Sequence, residues 1–383
     1  MSDLISLART FQRLENENRK FVLATVVGTE GSSYRRPGAR MLVTLDGEFH
    51  GMISGGCMDS DLLAHAQRVV ASGTPHVVRY DSSDAADLLW GLGLGCGGSL
   101  EILLEDSAAP HVRAHLAFLQ DALISRIPAA SATVFRTTGA ACAALGGRIH
   151  LREGSDPAGV IEPPELGGAV RSALREWMCV GCSHVEHFDV TGGSADVLLE
   201  VLEPRPALVI FGGGADAAPL ARIAISLGWK VVVADRRPAF ASPERFPMAD
   251  EVVLVGDGPL PVKIDRRTAV VVMTHRFEDD VSTLCELISH EPGYTGILGP
   301  KRRSERLLAE AVTRGARPSP SFLERLHAPV GLDLGADGPE EIAVSIVAEI
   351  RAVFSDRDGG FLRDRKKGIH EGSERHRATT TIR

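Results

Sequence analysis

Leu4, Leu7, Phe11 and Leu14 recur every three to four residues, a spacing that predicts an amphipathic helix over Asp3–Arg19, capped by Ser2 or Asp3. The β-branched run Phe21–Val27 (FVLATVV) reads as a buried strand. A turn-rich stretch, GTEGSSYRRPGAR, leads into a second strand, MLVTL. The same pattern then returns. A shift of 108 residues aligns Ala24–Thr25–Val26 with Ala132–Thr133–Val134, and pairs Thr29 with Thr137, Gly31 with Gly139, and Gly38 with Gly146. It also pairs Arg40 with Arg148, Gly51 with Gly159 and Ile53 with Ile161, giving nine identities between positions 24 and 54. After a 13-residue shortening, Gly97–Gly98–Ser99 meets Gly192–Gly193–Ser194, and Leu103–Leu104–Glu105 meets Leu198–Leu199–Glu200. These matches fall on glycines and strand residues, which a shared backbone demands. Residues 1–204 thus read as one α/β domain built from related halves, about 20–105 and 130–204.

The halves differ where chemistry is expected. The first carries SGGC (Ser54–Cys57) where the second has Glu162–Pro163–Pro164–Glu165, and GLGLGCGG (Gly91–Gly98) occurs only in the first. Loops that differ on a common scaffold are where function concentrates. After the stiff connector Glu203–Pro206, the strand Ala207–Phe211, the turn GGGADA, an apolar-periodic helix and the strand Lys230–Asp235 form a βαβ unit. Strands at Ala269–Met273 and Tyr294–Gly299 follow, so residues 205–350 read as a Rossmann-like doubly wound parallel sheet. Residues 351–383 hold nine basic and five acidic side chains and almost no apolar ones, which predicts a disordered tail.

Composition narrows the function classes. The 383 residues carry 42 Lys and Arg against 50 Asp and Glu, a net charge of −8, which argues against coating nucleic acid or an anionic membrane. No apolar run reaches the roughly 18 residues that span a bilayer, and no secretory signal is visible. Six cysteines in a chain of this length read as reduced thiols of a cytoplasmic protein.

Cys57 and Cys96 stand in glycine-rich loops beside Gly55, Gly56 and Gly97, where backbone N–H groups would favour a thiolate able to act as nucleophile or soft-metal ligand. A small buried cysteine is the plainer alternative. In the loop 31–40, Ser32, Ser33, Arg35 and Arg36 suit a phosphate or pterin, or a solvated turn; Arg40, retained as Arg148, reads as structural. Gly212, Gly214 and Ala217 with Asp235, 21 residues after Gly214, read as a nucleotide fingerprint, Asp235 accepting from a ribose hydroxyl, or as a Rossmann-like fold without a nucleotide. His275 follows a strand at the carboxyl edge of that sheet, as a ligand contact or as the partner of Glu278 or Asp279. CVGCSHVEH resembles a zinc site in composition, but a strand would turn His184 and His187 to opposite faces. KRRSER (Lys301–Arg306) reads as a solvated helix start or an anion contact.

GSSYRRPGARM, GMISGGCMDSDL, GLGLGCGGSLEILLE, VIFGGGADAAPLARIAISLGWKVVVADRRP, MTHRFEDD, YTGILGPKRR and RLHAPVGLDLGADGPEEIAVSIVAEI together resemble the XdhC/CoxI type of accessory protein. The resemblance implies an accessory factor, not a catalyst with its own turnover, that binds molybdenum cofactor (molybdopterin). It also implies support for sulfuration of that cofactor by a cysteine desulfurase and its insertion into a xanthine dehydrogenase-type molybdenum hydroxylase. Cys57 and Cys96 become expected molybdenum ligands or sulfur carriers, and the Rossmann part a site for NAD(P) or another nucleotide. Homodimers are common among such folds. Two positions depart from the family pattern: Ala215 replaces a histidine of the glycine loop, and Asp59 replaces a longer glutamate. The rival reading is an NAD(P)-dependent oxidoreductase with His275 as acid or base.

Overall fold

The computed structural model describes residues 2–31, 35–56, 58–81, 98–139, 144–256, 260 and 262–366. The chain divides into two compact units, one ending at Pro204 and one beginning at Arg205.

In the first unit α1 (Ser2–Asn16) precedes β1 (Phe21–Gly31), β2 (Arg40–Thr44), β3 (Phe49–Gly51), α2 (Asp59–Ser72), β4 (His76–Asp81) and β5 (Gly98–Asp106). The series repeats as α3 (Pro110–Ser125), β6 (Ala129–Gly139), β7 (Arg148–Arg152), β8 (Ala158–Val160), α4 (Pro164–Val180), β9 (His184–Val190) and β10 (Gly193–Leu202). The two sheets have one topology, β3-β2-β1-β5-β4 and β8-β7-β6-β10-β9, with every neighbour antiparallel. Even the irregularities repeat: the ladders skip Val27 in one half and Phe135, 108 positions on, in the other. These bulge residues pack together with Leu103 and Leu198 where the halves meet. Gly51 and Gly159 explain why glycine recurs, for both have φ near +105° and a Cβ on either would lie 2.4 Å from the carbonyl of Arg40 or Arg148.

Each sheet buries one face under its own helix. Leu62, Ala66 and Val69 of α2 pack on Val22, Ala24 and Val26, while Leu166, Val170 and Leu174 of α4 pack on Ala132 and Val134. The opposite face of the first sheet meets α1 and α3, through Leu7, Phe11, Leu14, Val112 and Leu116.

The second unit runs β11 (Ala207–Phe211), α5 (Ala217–Ser226), β12 (Lys230–Asp235), β13 (Glu251–Leu254), β14 (Thr268–Val272), α6 (Phe277–Ser289), β15 (Tyr294–Ile297), α7 (Lys301–Thr313), α8 (Pro320–Leu323), β16 (Leu326–His327) and α9 (Pro339–Phe354). All six strands are parallel in the order β13-β12-β11-β14-β15-β16, a Rossmann order that reverses between β11 and β14. Burial on both faces accounts for the unbroken apolar strands: α5 and α9 cover one face, α6, α7 and α8 the other. The helix α9 passes position 350, where the sequence predicted a disordered tail to begin, because Phe354 packs against Trp229 and beneath Arg267. Among the described residues, no helix is long and apolar enough to cross a membrane.

Candidate functional site

Three regions bear on function, of which the second and third hold the predicted site residues. The first is a buried polar seam between the halves. Arg40 Nη1 donates to Glu200 Oε1 at 2.8 Å and Arg148 Nη1 donates to Glu105 Oε1 at 2.7 Å, and in each pair a second, shorter contact makes the fork bidentate. Each guanidinium also donates to a carbonyl two residues back, Gly38 or Gly146. A side chain at those glycines would run into the paired glutamate. The shared arginines therefore lock one half to the other. Burial pushes the Glu105 carboxyl upward, but Arg148 and His111 outweigh it and hold it below the usual range.

One side of this seam is extended by histidines that no sequence pattern signalled. Arg40 Nη2 lies 3.1 Å from His115 Nε2, which must accept, so His115 Nδ1 donates to His150 Nε2 at 3.0 Å. Burial, reinforced by Arg148 and Arg40, keeps His115 neutral well below its ordinary range and lowers His150 to about 4.

The second region is the glycine–cysteine loop of the first half. Cys57, Cys96, Ser32, Ser33 and Gly97 lie outside the described residues. Of their neighbours, Ser54 is buried and its Oγ accepts from Gly56 N–H at 3.2 Å, while Gly56 has φ +99° and Gly55 has open space on its Cβ side. Two residues after Cys57, Asp59 opens α2, and its Oδ1 is buried with no hydrogen-bond partner among the described residues. An orphaned carboxylate oxygen costs free energy that a ligand's N–H donor would recover. Its counterpart 108 residues on is Gly167, so this acceptor is present in one half only. The signal was visible as the family's glutamate shortened to Asp59. Arg36 lines a different place, a cavity of about 430 Å³ within this unit whose walls include Pro37, Leu119, Cys182 and Glu203 and none of the described residues among Ser54–Asp59; Arg35 is half-buried.

The third region is the mouth of the parallel sheet. Gly212 (φ +120°), Gly213 and Gly214 turn from β11 into α5, which begins at the buried Ala217. Asp235, at the end of β12, is 3% exposed and accepts from Gly213 N–H at 2.8 Å and from Arg237 three times, at 2.8 to 2.9 Å. Burial would raise its carboxyl, but the Arg237 guanidinium and the two amides win and keep it below the usual range. His275 is exposed at φ +61°, and its Nε2 meets Asp216 Oδ2 at 2.6 Å instead of Glu278 or Asp279. Neither the period of α5 nor the turn chemistry signalled that contact, which joins positions 59 apart. The adjacent Thr274 is fixed by the buried Asp280, itself paired with Arg303 at 2.6 Å, so one arginine of KRRSER serves the fold.

His184 and His187 follow the strand parity: His184 lies against Trp177 with the rings tilted by 40°, beside Glu186, and His187 pairs with Asp196 at 2.5 Å. Among the described residues no group of His, Cys, Asp or Glu is arranged to hold a metal ion.

Comparison with known proteins fits this two-unit organisation. Residues 208–350 match the XdhC Rossmann domain and residues 14–81 match the XdhC and CoxI family. A Bacillus subtilis protein described as a probable xanthine dehydrogenase subunit is 34% identical over 343 residues, 88% of this chain and 94% of its own. The chain belongs to the XdhC and CoxI family. A further relative is the Escherichia coli molybdenum cofactor insertion chaperone PaoD, 24% identical over 335 residues, 87% of this chain and 83% of its own. The crystal structure of a Bacillus halodurans protein described as a xanthine dehydrogenase matches with a TM-score of 0.73 at 32% identity, over 94% of this chain and 97% of that one. Among XdhC and CoxI proteins, then, the likeness extends through both units.

Proposed function

We propose that this protein is a maturation factor that carries molybdenum cofactor to a xanthine dehydrogenase-type hydroxylase and presents it for sulfuration by a cysteine desulfurase. The observation that carries the reading is the one-sided site: the Gly–Cys loops and an Asp59 carboxylate oxygen with no partner among the described residues belong to the first half alone. That donor set fits the cargo. A pterin presents amide and amino N–H groups, which Asp59 would accept; thiolates at Cys57 and Cys96 are soft ligands suited to molybdenum. Ser32, Ser33, Arg35 and Arg36 would donate to its phosphate, and Gly55, Gly56 and Gly97 would let backbone N–H groups approach. The likeness to an insertion chaperone across 87% of this chain supports the same role. In the second unit, Gly212, Gly214, Ala217 and His275 border the crevice between β11 and β14, the place where doubly wound folds receive ligands.

Binding of released cofactor to the protein and to Asp59→Asn tests the reading. Loss of a buried charge-assisted hydrogen bond of about 1.5–3 kcal/mol predicts affinity about tenfold or more weaker. Equal affinity would refute the assignment of Asp59.

A further inference from the structure

The glycine pattern after β11 and the acid at the end of β12 favour a nicotinamide dinucleotide or another nucleotide by position, yet their surroundings do not fit a dinucleotide. Such a ligand needs an acid with a free oxygen for ribose, glycines that leave room for a pyrophosphate, and an uncharged helix N-terminus to receive it. The acid and the helix N-terminus fail that requirement, and two of the three glycines are already taken up by close backbone contacts. Asp235 is 3% exposed and its two oxygens already take four donors: Oδ1 from Arg237 N and Nε, Oδ2 from Gly213 N and Arg237 Nη2. The Arg237 guanidinium lies 3.7 Å over the Phe240 ring, and Arg245 lies over the same ring at 5.1 Å while donating to the Gly213 carbonyl.

Two of the three glycines are also explained from within the chain. A Cβ at Gly212 would lie 2.4 Å from the Met273 carbonyl and one at Gly213 would lie 2.3 Å from the Phe240 carbonyl, both fixed backbone atoms, whereas at Gly214 the near neighbour is the movable end of the Asp216 side chain. At the N-terminus of α5, where a pyrophosphate would rest, stands the carboxylate of Asp216, making no capping bond and held by His275.

We infer that the C-terminal unit does not bind NAD or NADP, and that Asp235 is a positioning residue whose carboxylate clasps the β11 turn to the β12 loop. Arg237 is the other half of the clasp, and Phe240 closes over it. This removes the oxidoreductase reading independently of how the cofactor is carried by the first unit.

The test is calorimetry and thermal unfolding of the intact protein with NAD⁺, NADP⁺ and ADP-ribose. The expected result is no saturable heat and no shift in Tm, where a ligand bound with Kd below about 1 mM would raise Tm measurably at several millimolar. Saturable binding of any of the three below about 1 mM overturns the exclusion. Asp235→Asn should lower Tm by about 3 °C or more, as loss of a saturated clasp requires, and leave the response to dinucleotides absent. A variant that unfolds at the parent's Tm overturns the clasp.

Discussion

Leu7, Leu23 and Leu42 of the first half stand 108 residues before His115, Ser131 and His150 of the second, at matching places on α1 and α3, β1 and β6, β2 and β7. In the first half these positions are fully apolar and join Phe11, Phe21 and Leu116 in one cluster. In the second they carry hydrogen bonds: Ser131 donates to Glu200, and His115 and His150 bond to one another beside Arg40. Cys57 and Asp59 of the first half meet Glu165 and Gly167 of the second. What both halves keep is the crossed pair of buried ion pairs and the glycines that make room for them. The difference shows that the interlock is the fixed requirement of the duplicated scaffold, while the layer beside it and the loops at its end are free to specialise.

The largest effects should come from breaking the interlock. Arg148→Ala leaves the fully buried Glu105 carboxylate with only His111, 3.3 Å away, beside it and should cost about 3 kcal/mol or more in urea unfolding. Arg40→Ala should cost about as much through Glu200, and a clearly smaller loss would show the halves to be unequal there. Replacing the whole pair, Arg148→Met with Glu105→Leu, should cost far less than Arg148→Ala alone, since no charge is stranded.

Next comes pH, where the halves should part. His150 is lowered to about 4 when folded and His115 is lowered as well, against an unfolded value of about 6.5. Depressed folded values mean that the unfolded chain binds the protons first. Stability contributed by the neutral histidines is therefore present above about pH 6.5 and is lost as pH falls toward 4, at up to about 1.4 kcal/mol per pH unit for each. His150→Leu, which installs the residue of the first half, should flatten that slope in unfolding measured from pH 7 to pH 4.5. An unchanged slope would contradict the burial of His150 as a neutral group.

Gly51→Ala and Gly159→Ala should each cost about 1–3 kcal/mol, by forcing a side chain into a positive-φ position against a carbonyl. Matching losses would sharpen the equivalence of the halves. The smallest effect should be His275→Ala, less than about 1 kcal/mol, because the ring is exposed and its pairing with Asp216 is screened.

Much of this architecture can be read along the chain. The 108-residue period, the glycines at 51 and 159 and the alternation of apolar strands with periodic helices follow from local geometry, so they mark the sequence directly. Arg40 and Arg148 stand out as shared positions, yet their partners lie 160 and 43 residues away, and no spacing rule connects them. The same holds for His275 with Asp216 and for His115 with His150, contacts made by the packing of separate elements. Asp235 is the instructive case: its place after β12 is that of a ribose acceptor, but Arg237, two residues on, occupies it. Position along the chain indicates where a carboxylate sits and says nothing of which donors reach it first.

The most direct measurement is of molybdenum and released pterin per chain, in protein purified from a host that makes the cofactor, for the parent, Cys57→Ala and Glu165→Ala. Near-stoichiometric cofactor that disappears in Cys57→Ala and persists in Glu165→Ala, with both variants folded, is the predicted result. Cofactor retained in Cys57→Ala, or lost equally from both variants, would contradict a site built in the first half alone.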